Sequence, residues 1–309
     1  MRWWLLAVGF LLALLAGAAE APALMKAGPG VSGRGLNVRL GPAAPSVFPG
    51  DAVAFTAFWS LRPLNQSKCT GFVDAVRLRR ASDNAEANIN IKTDCDLNIA
   101  LASSHCAATT CFVRTFFDQT GNNACGGLSC DLVQATPANQ PAWLFDCAGT
   151  LPCIRAPNAG AAILAAATNF TPATGIASMW AVAGRSVGAG QCFITRFAGN
   201  SARILTSAAT NTLQLNGSTG TLATTTDIGT SLNSVIGLAN GATSQLNVNG
   251  TTTQGFLTTA SVAGTPSGAS GAATTTCIQT EAGFIDATVL TPAQQNLLIG
   301  GARVFYGLP

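Results

Sequence analysis

A chain of 309 residues with 48% hydrophobic content is long enough to bury a substantial core, which excludes a disordered protein. Charged residues make up only 9%, against a globular average of about 25%; Thr, Ser, Asn, Gly and Ala fill the gap, as suits extracellular β structure with hydroxyl- and amide-rich surfaces. A net charge of +3 argues against a nucleic-acid partner.

The N-terminus reads as a secretory signal. Arg2 gives a small positive region, Trp3–Leu15 is an uncharged apolar run, and Ala-x-Ala sites follow at Ala16–Ala18, Ala19–Ala21 and Ala21–Ala23. Cleavage after Ala21 would place Pro22 next to the cut, so the third site is preferred and residues 1–23 are taken as the signal. The apolar run is shorter than the roughly 20 residues of a spanning helix, and no later segment has transmembrane character. The expected location is secreted, periplasmic or cell-surface, with no membrane partner after cleavage. Residues 24–50, rich in Gly and Pro, read as an extended lead-in, and 51–309 as a single domain.

From Asp51 the chain is β-rich. Ala52–Trp59 leads into Ser60-Leu61-Arg62. Val76–Arg79 alternates, placing Arg77 and Arg79 on one strand face, either a solvated face or a binding patch. Ser82-Asp83-Asn84 is a turn and Asn88–Ile91 alternates again. Cys111–Phe117 is a strand rich in β-branched and aromatic residues, Asp118–Asn123 (DQTGNN) breaks it as a turn, and Leu132-Val133 resumes extended structure.

Short strand-and-turn units then recur at Ile176–Ala183, Gln191–Phe197, Ala202–Thr206, Thr212–Leu215, Ser234–Ala239, Gln245–Val248 and Gly283–Val289. Asn216-Gly217, Asn240-Gly241 and Asn249-Gly250 are hairpin signals. Thr291–Gly300 reads as a short helix capped by Thr291 with Pro292 in its first turn, and Arg303–Tyr306 as a final short strand or coil. The pattern predicts an all-β sandwich or barrel.

The stretch 106–141 resembles the catalytic domain of the arabinofuranosidase B family (family 54 glycoside hydrolases). The resemblance is carried by Cys106 and Cys111, by Phe117-Asp118-Gln119-Thr120-Gly121-Asn122, by Leu132-Val133-Gln134-Ala135, and upstream by Val76–Asn84. Beyond it, Trp180 in mid-strand, Leu246–Gly250 (LNVNG) and the terminal Tyr306-Gly307 are similar to the concanavalin A-like pattern. The resemblance implies a two-sheet antiparallel jelly-roll sandwich stapled by disulfides, and a Cys106–Cys111 staple.

Ten cysteines behind a signal read as a disulfide framework made outside the cytosol. Sequence does not fix connectivity; local closure suggests Cys125–Cys130 and Cys147–Cys153, with Cys69–Cys95 and Cys192–Cys277 as longer links. Metal binding competes, but there is no C-x2-C pair, and His105 is the only histidine.

The family resemblance implies a nucleophilic Glu after the counterpart of Cys192–Asn200, yet Ser201, Ala202 and Arg203 follow. It implies an acid/base Asp in the counterpart of Val262–Ala272, which holds no acid. A module without hydrolytic activity is therefore expected, one that binds carbohydrate or a cell-surface glycan or serves as a surface or structural module. The alternative is a hydrolase that has relocated its carboxylates to Asp118, Asp131, Asp146 or Glu281. Asp118, Gln119, Asn122 and Asn123 are the polar ligand candidates, with Trp143, Trp180 and Trp59 as candidate aromatic platforms and Trp143 the better exposed. Asp118, Asn122, Asn123 and Asp131 also offer the oxygens a calcium ion takes, against the plainer reading of turn side chains capping backbone amides. No cofactor is expected.

Overall fold

The computed structural model describes residues 48–70, 72–147, 151–156, 164–168, 177–187, 192–197, 203–206, 212–217, 220–224, 231–257, 266–267, 270–271, 276–286 and 289–308. The expected signal peptide, most of the lead-in, Ser201-Ala202 and most of Val262–Ala272 lie outside them.

Eighteen strands are described. The first seven are β1 (Ala57–Ser60), β2 (Asp74–Arg80), β3 (Glu86–Asn90), β4 (Cys111–Phe116), β5 (Leu132–Val133), β6 (Ala142–Leu144) and β7 (Cys153–Ala156). Then come β8 (Ala177–Val187), β9 (Cys192–Phe197), β10 (Arg203–Thr206), β11 (Leu213–Asn216) and β12 (Thr221–Ala223). The last six are β13 (Asn233–Ala239), β14 (Ser244–Val248), β15 (Thr251–Gly255), β16 (Pro266–Ser267), β17 (Ser270–Gly271) and β18 (Thr276–Asp286). Helical segments are few: α1 (Pro49–Ala52), α2 (Ser67–Thr70), α3 (Ile99–His105) and α4 (Pro292–Tyr306).

The strands form an antiparallel jelly-roll sandwich of two sheets. The larger has 12 strands in the order β15-β14-β13-β8-β18-β7-β6-β4-β2-β3, with β1 on β18 and β5 on β4; the smaller has six, β12-β11-β10-β9-β16 with β17 on β9. Alternation along the central strands sends side chains to two cores. Met179, Ala181 and Ala183 of β8, with Val235 of β13, face Ile204, Leu213 and Leu215 of the smaller sheet. Trp180, Val182 and Ile236 point the other way, onto Leu298, Ile299, Ala302 and Tyr306 of α4. The sheets approach closely at Gly237, where a Cβ would lie 2.9 Å from Leu215 Cδ1 and 3.2 Å from Ile204.

Hairpin chemistry behaves as the dipeptides demand. β14 and β15 pair from Val248↔Thr251, so Asn249 and Gly250 form a two-residue loop with φ of 49° and 89°, the type I′ pattern that matches strand twist. Asn216-Gly217 begins the β11–β12 turn, and Asn240 leads into a 3₁₀ turn before β14.

Disulfides Cys69–Cys95, Cys106–Cys111, Cys125–Cys130 and Cys147–Cys153 are all present. Cys277 is disulfide-bonded as well, and its partner lies outside the described side chains.

Two expectations are corrected. Arg303–Tyr306 is neither strand nor coil but the last turn of α4, which runs 15 residues from a Thr291–Gln294 capping box to Gly307 in the left-handed conformation. Leu298, Ile299, Ala302 and Tyr306 fall on one face at helical spacing, and burial of that stripe carries the helix past Gly300-Gly301. The β-rich stretch also begins later than Asp51: Pro49–Ala52 is a helical turn, and extended pairing begins at Ala57. Helix α3 had no sequence expectation; Asn98 caps it, its side chain accepting from Leu101 N–H at 3.1 Å.

Candidate functional site

The DQTGNN turn organises the region that the sequence nominates. Asp118 Oδ1 accepts from Phe58 N–H at 3.0 Å and from Thr120 N–H at 3.0 Å, and the Thr120 hydroxyl donates to the same carboxylate. The carboxylate thus ties β1 to the turn. Burial pushes its pKa above the ordinary aspartate value, against the lowering effect of those donors, and neighbouring Asp131 pushes the same way. Asp131 Oδ1 in turn accepts from Asp118 N–H at 2.8 Å and Ser129 Oγ at 2.9 Å.

Gln119 is fully buried and saturated. Its Oε1 accepts from Leu64 N–H at 2.8 Å, while Nε2 donates to Ser60 O at 2.7 Å and Arg62 O at 3.0 Å. One side chain therefore fixes Ser60–Leu64. Asn122 donates to Phe55 O at 3.1 Å, whereas Asn123 is exposed.

The segment Gln119 holds aims Arg62 beneath α4. A bulge makes this meeting possible: between Gln279 and Glu281, β18 carries one residue more than β8, since Gln279 pairs Ala183 and Glu281 pairs Val182. Cys277 faces the inter-sheet core; the extra residue turns Glu281 to the opposite side, with Trp180. There Glu281 Oε1 accepts from Arg62 Nε, Oε2 accepts from Arg62 Nη2 at 3.3 Å, and Oε2 accepts from Trp180 Nε1 at 2.8 Å. The Arg62 guanidinium lies 5.5 Å from the Phe305 ring centroid and 5.6 Å from that of Tyr306. Both members of the pair are buried. Burial, with the facing Glu281 carboxylate, pushes the Tyr306 phenol well above its usual value, and Arg62 works against the shift.

The nominated residues are therefore dispersed. Asp118, Gln119 and Asn122 share the turn and bind backbone. Trp180 lies in the buried cluster under α4. Trp143, expected to be exposed because it follows Pro141 in a loop-like context, is only 4% exposed: it sits in β6, paired with Ile154 of β7, and faces the core. Local sequence could not show that Trp143 would pair with Ile154 of a later strand and turn its ring into the core. Among the described residues no group of three or more His, Cys, Asp or Glu is placed to hold a metal ion. Of the carboxylates nominated for a relocated hydrolase, Asp118 and Asp131 come together, and Glu281 is committed to Arg62 and Trp180.

No family model matches the chain, and no curated protein matches it by sequence. Solved structures do match. A GH54 α-L-arabinofuranosidase soaked with a cyclic sulfate inhibitor aligns over 80% of this chain and 63% of its own, with TM-score 0.60 and 13% identity. A mutant of a GH54 α-L-arabinofuranosidase soaked with 4-nitrophenyl α-L-arabinofuranoside gives TM-score 0.62, 14% identity and the same coverage. An arabinofuranosidase complexed with arabinofuranosyl-α-1,2-xylobiose gives 0.59 and 13% over 80% of this chain and 62% of its own. The chain shares the fold of the GH54 arabinofuranosidases. It spans less than two thirds of the length of those chains. The disulfides fit an extracellular protein, and no described helix is long and apolar enough to cross a membrane.

Proposed function

We propose that this protein is a secreted module that binds carbohydrate, or serves at a surface, on an arabinofuranosidase-type sandwich without that family's hydrolytic pair. The observation that carries the reading is the commitment of the candidate acids to the fold itself. A retaining glycosidase holds two carboxylates about 5–5.5 Å apart and free to meet substrate. Here Glu281 is closed off by Arg62 and Trp180, and Asp118 holds together β1 and the DQTGNN turn.

A hydrolase reading draws on one observation, the approach of Asp118 and Asp131 with the Asp118 carboxyl held above its ordinary pKa. The two readings separate on 4-nitrophenyl α-L-arabinofuranoside. Purified oxidised protein is expected to release no nitrophenol above a blank and to retain arabinose-containing glycans on an array. Turnover that disappears in Asp118→Asn would establish the hydrolase instead.

A further inference from the structure

The face of β2 and β3 turned away from the core carries an array that the turn and the buried cluster do not use. Ala75, Val76, Leu78 and Ile89 point into the core. Asp74, Arg77 and Asn88 do not, and each is half-buried. Arg77 Nε donates to Asn88 Oδ1 at 2.8 Å, and Asn88 Nδ2 donates to Asp74 Oδ2 at 2.6 Å. The Arg77 guanidinium is held 5.5 Å from the Phe117 ring centroid. Asp74 and Arg77, three positions apart and brought to one face by the irregularity between Asp74 and Val76, carry opposite charges that could close into an ion pair. Here the amide stands between them, so the guanidinium and the carboxylate remain separate. The nearby arginines differ: Arg114 pairs with Glu86, Arg80 pairs with Asp83, and Arg79 is spent on Gln140, Asn84 and two carbonyls. Among the described residues the two Nη groups of Arg77 and Oδ1 of Asp74 have no hydrogen-bond partner.

A second feature adjoins the array. Phe72, two residues before Asp74, is 60% exposed and has φ of 50°. The left-handed conformation costs a non-glycine residue about 1 kcal/mol, and this one gains little burial in return. An apolar ring is thus exposed two residues before the strand that carries the fixed polar groups.

We propose that Phe72, Asp74, Asn88 and Arg77 form a binding site for a neutral oligosaccharide. The inference rests on the glycan-binding reading above and gives it a place and a ligand class. A sugar hydroxyl both donates and accepts, so vicinal hydroxyls satisfy a carboxylate and a guanidinium held apart in one line. The apolar face of a sugar ring covers the phenyl ring. An anionic ligand would meet Asp74, and a cationic one Arg77. From Asp74 to Arg77 the strand spans roughly 10 Å at about 3.3 Å per residue, more than one sugar residue occupies.

The test is electrophoresis of the oxidised full chain through native gels containing arabinan, arabinoxylan or polygalacturonate. Arabinan or arabinoxylan is expected to retard the protein and polygalacturonate is not. Phe72→Ala, Asp74→Asn and Arg77→Ala should each weaken retardation at least tenfold, while Arg80→Ala leaves it unchanged. Near-isosteric Asp74→Asn keeps the test valid if Arg77→Ala folds poorly, and circular dichroism melts check each variant. Retardation that survives all three substitutions overturns the site and leaves the glycan reading standing. Retardation by polygalacturonate alone overturns the neutral ligand class. Absence of retardation in every gel overturns the glycan reading and the site together.

Discussion

Replacing Arg62 by Met leaves the Glu281 carboxylate buried beside Trp180 with no cation. Removing one partner of a buried ion pair typically costs about 3–5 kcal/mol, because the surviving charge loses water and gains no compensating partner. The geometry here supports the upper part of that range: the side chains are 3% and 0% exposed, and the guanidinium contacts both carboxylate oxygens. Glu281→Gln strands the cation instead, and the Phe305 and Tyr306 rings soften that loss by about 1–2 kcal/mol. The double variant, Arg62→Met with Glu281→Gln, keeps an acceptor for Trp180 Nε1 and buries no charge. It should be more stable than either single variant. At about 2–4 °C per kcal/mol for a domain of this size, Arg62→Met lowers Tm by roughly 8–20 °C, and the double variant recovers more than half of that. Calorimetry of the oxidised proteins at pH 7 reads all four corners of the cycle. Single variants within about 1 kcal/mol of the parent, or a double variant whose loss equals the sum of the singles, would refute the reasoning.

Asp118→Ala removes the acceptor of Phe58 N–H, Thr120 N–H and the Thr120 hydroxyl, and should cost about 2–4 kcal/mol in denaturant unfolding. Asp118→Asn keeps the main acceptor and should lie within about 1 kcal/mol of the parent at pH 7. Because the folded pKa of Asp118 is raised, the native state binds more protons than the unfolded state between pH 3.8 and the folded pKa. This group's contribution therefore falls as pH rises through that window, and the slope should be absent in Asp118→Asn when Tm is followed from pH 3.5 to 7. Removing Cys69–Cys95, with sequence separation 26, should cost about 3.5 kcal/mol by loop entropy; Cys106–Cys111, with separation 5, should cost about 2 kcal/mol. Melting of the paired Cys→Ala variants gives that ranking or contradicts it. Gly184→Ala would put a Cβ 2.2 Å from the Ser231 carbonyl oxygen, a backbone atom, and should cost at least about 2 kcal/mol; a variant melting within 2 °C of the parent would show that the strands can separate there.

Local chemistry made much of the architecture legible. Asn249-Gly250 specifies its loop because both positions need φ > 0, and the structure puts both there. The β-branched and aromatic run Cys111–Phe117 forms strand β4 as expected, and it pairs with β2 and β5. The close-spaced cysteines found one another because short loops cost little to close. Elements whose stability comes from distant partners were less legible. Gly300-Gly301 looked like a helix end, yet packing of Tyr306 and Ala302 beneath the helix outweighs two glycine penalties of about 1 kcal/mol each.

The candidate site divides along the same line. Sequence alone determined the composition of the turn: Asp118, Gln119 and Asn122 are residues that bind backbone, and they do. The resemblance to family 54 also set the expectation that acids are missing from the counterparts of that family's catalytic positions, most of which lie outside the described residues. Only the tertiary structure decided that Gln119 secures Ser60–Leu64, that a bulge turns Glu281 toward Arg62, and that Trp143 is covered. Arg62 and Glu281 are 219 residues apart. Such a pair has no local signature, because its energy exists only after the sheet closes and water has left the space between strand and helix.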